Sequence, residues 1–396
     1  MDEILNLDLN DMAQTEFDCS CGKHHNFSIH DVAIGSGTIN KLPEIAAPFK
    51  EGQILMVYDN NTYEAAGKQA HQLMVDAGFN VKELLFDRGN DILIPDESVV
   101  GRILQELSGP TPEDTRLIVG VGSGSINDSC KYVSFHCHLP YIIVGTAPSM
   151  DGYVSDGAPL MSAGRKISYP AHLAYGVIGD TNIMKDAPQE LIAAGFGDVV
   201  GKITALADWD LAVKVKGDYR CDTCVTLVQR ALDKCFSKSN LLPQRDEEAI
   251  KYLIEALTLT GVAMALIRIS RPASGAEHML SHFWEMDYVD RGLNPIHHGT
   301  QVGVATPVIA RFFEELADIL PEGTGALCPR HEEIEKLLRD GGAPVSPKEI
   351  GISRELFHNS LLKGYTVRPR YSVMEFAKEH GRLEEIADKI TAELYD

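Results

Sequence analysis

Residues 116–135 read Arg116-Leu-Ile-Val-Gly120-Val-Gly122-Ser-Gly124-Ser-Ile-Asn-Asp128-Ser-Cys-Lys131-Tyr-Val-Ser-Phe135. The apolar run over 116–120 predicts a buried strand, the glycine-serine stretch a tight turn, and 126–135 a helix. Glycines let a backbone approach a pyrophosphate, and the helix start then offers it free N–H groups. The spacing is not G-x-G-x-x-G, because position 125 is Ser. Alone, the stretch suits a bare strand-to-helix turn as well as a dinucleotide site.

Working outward, Ile54-Leu-Met-Val-Tyr58 reads as a buried strand ending in Asp59-Asn60-Asn61. Helical spacing follows over 63–78, a strand over 81–86 and a helix over 97–107. Beyond the central stretch, Tyr141-Ile-Ile-Val144 is a further strand. Strands alternating with helices imply a mostly parallel sheet. The first 40 residues read as irregular and polar. After about residue 185 the strand signal disappears, and helices are expected over 189–215, 247–267, 276–286, 301–317, 330–339, 353–362 and 383–394. The expected architecture is an α/β domain with a mostly parallel sheet over 1–185, followed by an all-helical domain over 186–396, joined near Asp186-Ala-Pro188.

The length of 396 residues suits two domains, and 44% hydrophobic residues leave ample material for a core. No apolar run approaches the roughly 18–20 residues of a membrane helix, and Met1-Asp-Glu-Ile does not start a signal peptide. A cytoplasmic protein without membrane insertion is expected. With 36 Lys and Arg against 57 Asp and Glu, the net charge is −21. Such a chain repels a phosphate backbone unless it carries a basic stripe, and none is visible, so nucleic-acid binding is not expected. A small anionic substrate stays open, because a site can be locally positive.

Several residues could carry chemistry. Asp59, at a strand end, can take a ribose hydroxyl pair or cap the next helix. Gly145-Thr146-Ala-Pro-Ser149-Met-Asp151-Gly152-Tyr-Val-Ser155 follows a strand on the same sheet edge, where small hydroxyl residues can cradle a ligand or form a polar loop. Asp198, His278 and His298 would make a nitrogen/oxygen set suited to a catalytic divalent metal, although spacing alone leaves surface or capping histidines open. His278 and His282 share a helix face, as do Asp198 and Lys202. Eight cysteines do not make a disulfide scaffold, and reduced thiols are expected. Cys19-Ser-Cys21-Gly-Lys-His24-His25 or Cys221-Asp-Thr-Cys224 could bind zinc. Neither has an obvious partner pair at a standard interval, so incidental thiols are the expectation.

In this order, five segments resemble the metal-dependent polyol dehydrogenases that share a fold with dehydroquinate synthase, a family that includes glycerol dehydrogenases and iron-containing alcohol dehydrogenases. They are Gly122-Ser-Gly-Ser-Ile-Asn-Asp128-Ser-Cys-Lys131, Thr146-Ala-Pro-Ser-Met-Asp151-Gly, Gly195-Phe-Gly-Asp198, Ser274-Gly-Ala-Glu-His278-Met-Leu-Ser-His282 and His298-Gly-Thr-Gln-Val-Gly303. The likeness runs from about Val32 to Arg370, with Ser123 interrupting the family's triple glycine.

By this resemblance the fold is dehydroquinate-synthase-like. Asp59, Gly122, Gly124, Ser125, Ile126, Asn127, Asp128, Lys131, Thr146, Ser149 and Ser155 would bind NAD or NADP, with Asp59 disfavouring a 2′-phosphate. Asp198, His278 and His298 would hold one catalytic divalent metal, zinc or nickel, with iron also accepted. Of the doublet His297-His298, the second directly precedes the glycine, as the family's ligand does. Asp151 and His282 would contact substrate, with Asp198 beside it. The resemblance narrows to a bacterial branch that interconverts sn-glycerol 1-phosphate and dihydroxyacetone phosphate, and the family suggests a homodimer. His282 and Lys202, each one turn from a metal ligand, are candidates to meet the substrate phosphate. Two other chemistries compete: a glycerol dehydrogenase acting on an unphosphorylated polyol, and a dehydroquinate-synthase-like lyase, which needs a more basic pocket. A non-catalytic metal binder would leave the glycine-rich turn idle.

Overall fold

The computed structural model describes residues 3–12, 14–89, 91–108, 114–294 and 296–396. A small antiparallel hairpin, β1 (Glu16–Asp18) and β2 (His24–Asn26), comes first. The main sheet is built from β3 (Asp31–Gly35), β4 (Gln53–Asp59), β5 (Asn80–Phe86), β6 (Thr115–Gly122), β7 (Tyr141–Gly145) and, beyond a second antiparallel hairpin of β8 (Gly157–Ser162) and β9 (Arg165–Pro170), β10 (Gly176–Asp180). Its order is β3-β10-β7-β6-β4-β5, and every pairing is parallel. Ile54 to Tyr58 and the whole of β7 and β10 are buried. Strands covered on both faces read as continuous apolar runs, which is why 54–58 and 141–144 stood out in the sequence.

Helices α1 (Lys68–Asp76), α2 (Glu97–Leu107) and α3 (Gly124–His136) connect the strands. The turn between β6 and α3 needs Gly122, because a Cβ there would lie 2.7 Å from Ile126. Several features differ from the reading of the sequence. Strands β3 and β10 and the β1–β2 and β8–β9 hairpins were not expected. Each main-sheet addition is five residues long and ends in or contains glycine, too short for periodicity to separate from loop. Thus the first 40 residues are not all irregular. Helices α5 (Asp222–Phe236) and α11 (Val373–Glu379) were also not expected.

After β10 a short helix, Thr181–Met184, leads to α4 (Gln189–Lys216). Then come α5, α6 (Glu247–Ile267), α7 (Ala276–Asp290), α8 (His298–Glu315), α9 (His331–Asp340), α10 (Arg354–Lys363), α11 and α12 (Leu383–Tyr395). Residues 192–212 of α4 are buried on every side, as a central helix must be. One hydrophobic cluster takes Val57, Ile143 and Tyr153 from the sheet side and Phe196, Trp209 and Ile254 from the helices. Counting unbroken apolar runs missed one feature: α6, with 21 residues and mean hydropathy 1.6, is long and apolar enough to cross a membrane. In this fold it is a core helix, 72% of its apolar window being buried inside the protein.

All eight cysteines are free. No standard sequence interval links the two cysteine pairs, but tertiary structure does. The hairpin loop and the start of α5 bring them face to face, with Cys19 Sγ 3.6 Å from Cys221 Sγ.

Candidate active site

A cleft of about 1120 Å³ opens along the carboxyl ends of β4, β6 and β7 and is closed on its other side by α7, the start of α8 and the 368–370 segment. Parallel sheets bind ligands at this edge. Asp59, Gly124, Ser125, Ile126, Asp128, Thr146, Ser149, Asp151 and Ser155 all line it. Asp59 also caps the helix that starts at Asn60, accepting the Thr62 N–H at 2.8 Å, so the capping reading of this residue holds while it still lines the cleft. Burial raises the Asp128 carboxyl to about 6.

Three residues assigned to the dinucleotide do not reach the cleft wall. Gly122 serves the turn. Asn127 donates to Asp128 and to the Gly152 carbonyl. Lys131 Nζ donates to Gly152 O at 2.7 Å, Ser155 Oγ at 3.0 Å and Gly157 O at 3.1 Å. Asn127 and Lys131 thus brace the 152–157 loop from behind.

Asp198 on α4, His278 on α7 and His298 at the start of α8 converge, with one ligand atom of each within 4.8 Å of the others. Backbone contact makes this possible. A Cβ on Gly299 would lie 2.0 Å from Ala194 O, and one on Gly197 would lie 2.4 Å from Gly299 O. Likewise Gly195 lets the Pro148 carbonyl dock on α4, which sets Asp151 beside Asp198. The Asp151 N–H donates to Asp198 Oδ2 at 3.0 Å.

The donor set fits a divalent ion. Burial holds His278 and His298 well below the ordinary histidine value, so they stay neutral, the form that offers a lone pair. Burial, with Asp151 beside it, pushes the Asp198 carboxyl up to about 6; a cation at the site would restore its charge. His278 Nδ1 lies 2.7 Å from Glu277 Oε1, which leaves Nε2 facing Asp198 at 3.7 Å. Glu277 is fixed in turn by Thr204 Oγ1 and the Gly275 N–H. Glu277 was not singled out in the sequence, although it directly precedes His278.

The expected phosphate contacts change. Lys202 has no exposed surface, and its Nζ lies 2.5 Å from Asp198 Oδ1 and 2.8 Å from Asp151 Oδ2. Although burial disfavours its charge, the two aspartates hold it above the ordinary lysine value. It neutralises them from behind and does not face the cleft. His282 does line the cleft, but it brings no charge. Burial lowers it to about 4, and its Nε2 accepts from Arg368 at 2.9 Å, since a guanidinium can only donate. The positive charges are Lys166, Arg268, Arg368 and Arg370, all on the cleft wall. Lys166 on β9 pairs with Glu285 on α7 at 2.8 and 3.0 Å. Arg370 is anchored on Ser270 and Ser274. Arg368-Pro-Arg370 ends the stretch of likeness, and that position was the only signal the sequence gave.

A family model for iron-containing alcohol dehydrogenases matches residues 33–188. A glycerol-1-phosphate dehydrogenase, NAD(P)+-linked, of Bacillus velezensis is 32% identical, over 93% of this chain and 96% of that protein. One of Bacillus licheniformis is 29% identical over 92% and 93%. Among solved structures, a probable glycerol dehydrogenase of Sinorhizobium meliloti superposes with a TM-score of 0.69 at 16% identity, covering 92% of this chain and 97% of that one.

Proposed function

From membership of the glycerol-1-phosphate dehydrogenase family, to which this chain belongs, we infer that the protein interconverts sn-glycerol 1-phosphate and dihydroxyacetone phosphate, with NAD(P) as hydride carrier. The observation that carries this reading is one cleft lined by the α3 start, His278, His298 and the arginines, with the buried Asp198 converging on the two histidines from behind the wall. When bound, the ion supplies polarisation of the oxygen on carbon 2, and the nicotinamide takes or gives the hydride.

The chain supplies the positioning. Gly124, Ser125 and Ile126 offer the free N–H groups of α3 to the dinucleotide pyrophosphate, with Thr146, Ser149 and Ser155 beside them. Asp198, His278 and His298 hold the ion, Glu277 aims His278, and Lys202 balances the paired aspartates. Asp151 faces the substrate hydroxyls. Arg368 and Arg370, with Lys166, take the phosphate, while His282 orients Arg368. Guanidinium forks match phosphate oxygens, which suits an ester over a free polyol. The same reading has the enzyme work as a cytoplasmic homodimer, as the family resemblance implies.

NADH oxidation by metal-reconstituted protein tests this, with dihydroxyacetone phosphate or dihydroxyacetone as substrate. The expected result is strong preference for the ester, abolished by chelator. Arg368→Ala should raise KM for the ester by about 10–100-fold, the worth of a hydrogen bond to a charged group, and leave the free ketone unaffected. Preference for the free ketone would instead assign an unphosphorylated polyol, and equal losses on both substrates would deny Arg368 the phosphate.

A further inference from the structure

The geometry points to a second metal site, away from the cleft: a structural zinc held by Cys19, Cys21, His25 and Cys221. One ligand atom from each lies within 4.8 Å of the other three. None of the four lines the cleft. Zinc with Zn–S of about 2.3 Å and Zn–N of about 2.0–2.1 Å makes a tetrahedron with S···S edges of about 3.8 Å and S···N edges of about 3.5 Å. The edges found here are 3.6 Å for Cys19–Cys221, 3.2 Å for Cys21–His25 Nε2 and 3.5 Å for Cys221–His25 Nε2. Three sulfurs and one imidazole nitrogen form a Cys₃His set, which selects zinc over hard cations.

The surroundings are those of thiolates. The Cys21 N–H points at Cys19 Sγ at 3.5 Å. Thr223 Oγ1 lies 3.3 Å from Cys19 Sγ, and Tyr219 OH lies 3.0 Å from Cys21 Sγ. Cys221 is the N-cap of α5, where the free N–H groups favour negative charge. His25 is 1% exposed and Cys221 is fully buried, so a bound ion would be shielded from water.

The site has a structural job. Strands β1 and β2 have three residues each, and a hairpin that short has little stability of its own. Zinc would rivet it to the start of α5, about 200 positions away in the chain. Asn26, next to His25, accepts a hydrogen bond from Arg268 at 3.2 Å, and Arg268 lines the cleft. The rivet thereby steadies one wall of the active site without touching substrate.

Cobalt(II) loading of the full-length protein tests the proposal, because the catalytic set contains no sulfur. The expected result is two cobalt equivalents per chain and a thiolate-to-cobalt charge-transfer band. Cys21→Ser should lose that band and one equivalent, keep the other equivalent, and unfold at lower temperature. If the variant fails to fold, the wild-type spectrum alone decides. A single equivalent without the band would overturn the proposal. So would a Cys19–Cys221 disulfide found by mass after alkylation of protein purified without reductant.

Discussion

Glu277 shows how much of a metal site can rest on one buried carboxylate. It does not line the cleft, yet its 2.7 Å contact with His278 Nδ1 fixes the tautomer that leaves Nε2 free. Partners of this kind are worth about 10–100-fold in metal affinity. Glu277→Gln keeps a carbonyl oxygen to accept from Nδ1 and loses the charge. Metal titration of the chelator-stripped variant should therefore show about 10–100-fold weaker binding, with the rate recovered at excess metal. Unchanged affinity would make Glu277 a packing residue only. At this scale the sequence was readable where the motif itself carries the chemistry. Asp198, His278 and His298 sit in short, distinctive strings, and the structure brings them together. Arg368 and Lys166 were not readable, because ordinary exposed-type residues reach one cleft wall only when a loop and a hairpin converge. The nearness of the two cysteine pairs was not readable for the same reason, since residues about 200 positions apart meet only in the fold.

Among the elements, the contact between α4 and α8 matters most to the site. The glycines of Gly195-Phe-Gly197-Asp198 and His298-Gly299 are there for closeness, not for turns, since each lies in a regular helix. Gly299→Ala would put a methyl group 2.0 Å from the Ala194 carbonyl, so the helices must part. Overpacking of a tight core costs about 1–3 kcal/mol, and here it also separates Asp198 from His298. The variant should melt lower and lose catalytic metal together. Gly101→Ala in α2 is the matched control: nothing lies within 4 Å of its Cβ, so helix propensity predicts a gain of about 0.5–1 kcal/mol and unchanged metal content. If Gly299→Ala held its metal as tightly as Gly101→Ala does, the close approach would not be what assembles the site. Long helices and fully buried strands were legible because their patterns run over many residues. Strand β3, with Asp31 and Gly35 at its ends, offered only three apolar positions between them.

For the molecule as a whole, the largest hydrophobic cluster is shared by the sheet and the helices, and the cleft takes walls from both. The cluster that includes Val57 and Ile143 continues into Phe196, Trp209 and Ile254 across the link at 181–188. Lys166 and Glu285 add an ion pair between the β8–β9 hairpin and α7. The two halves distinguished by sequence pattern should therefore unfold together. Calorimetry on the metal-loaded protein should show a single transition, with no separate melting of 1–185 and 186–396. A ligand bound only by the folded state stabilises it by about 2.7 kcal/mol at one hundred times its Kd. By the proposed assignment NADH would contact mainly the sheet edge and the metal would sit on helices, yet each should shift that single transition as a whole. Two resolved transitions, with NADH moving one and chelator the other, would show that the shared core does not couple the halves, and that the cleft is assembled by its ligands.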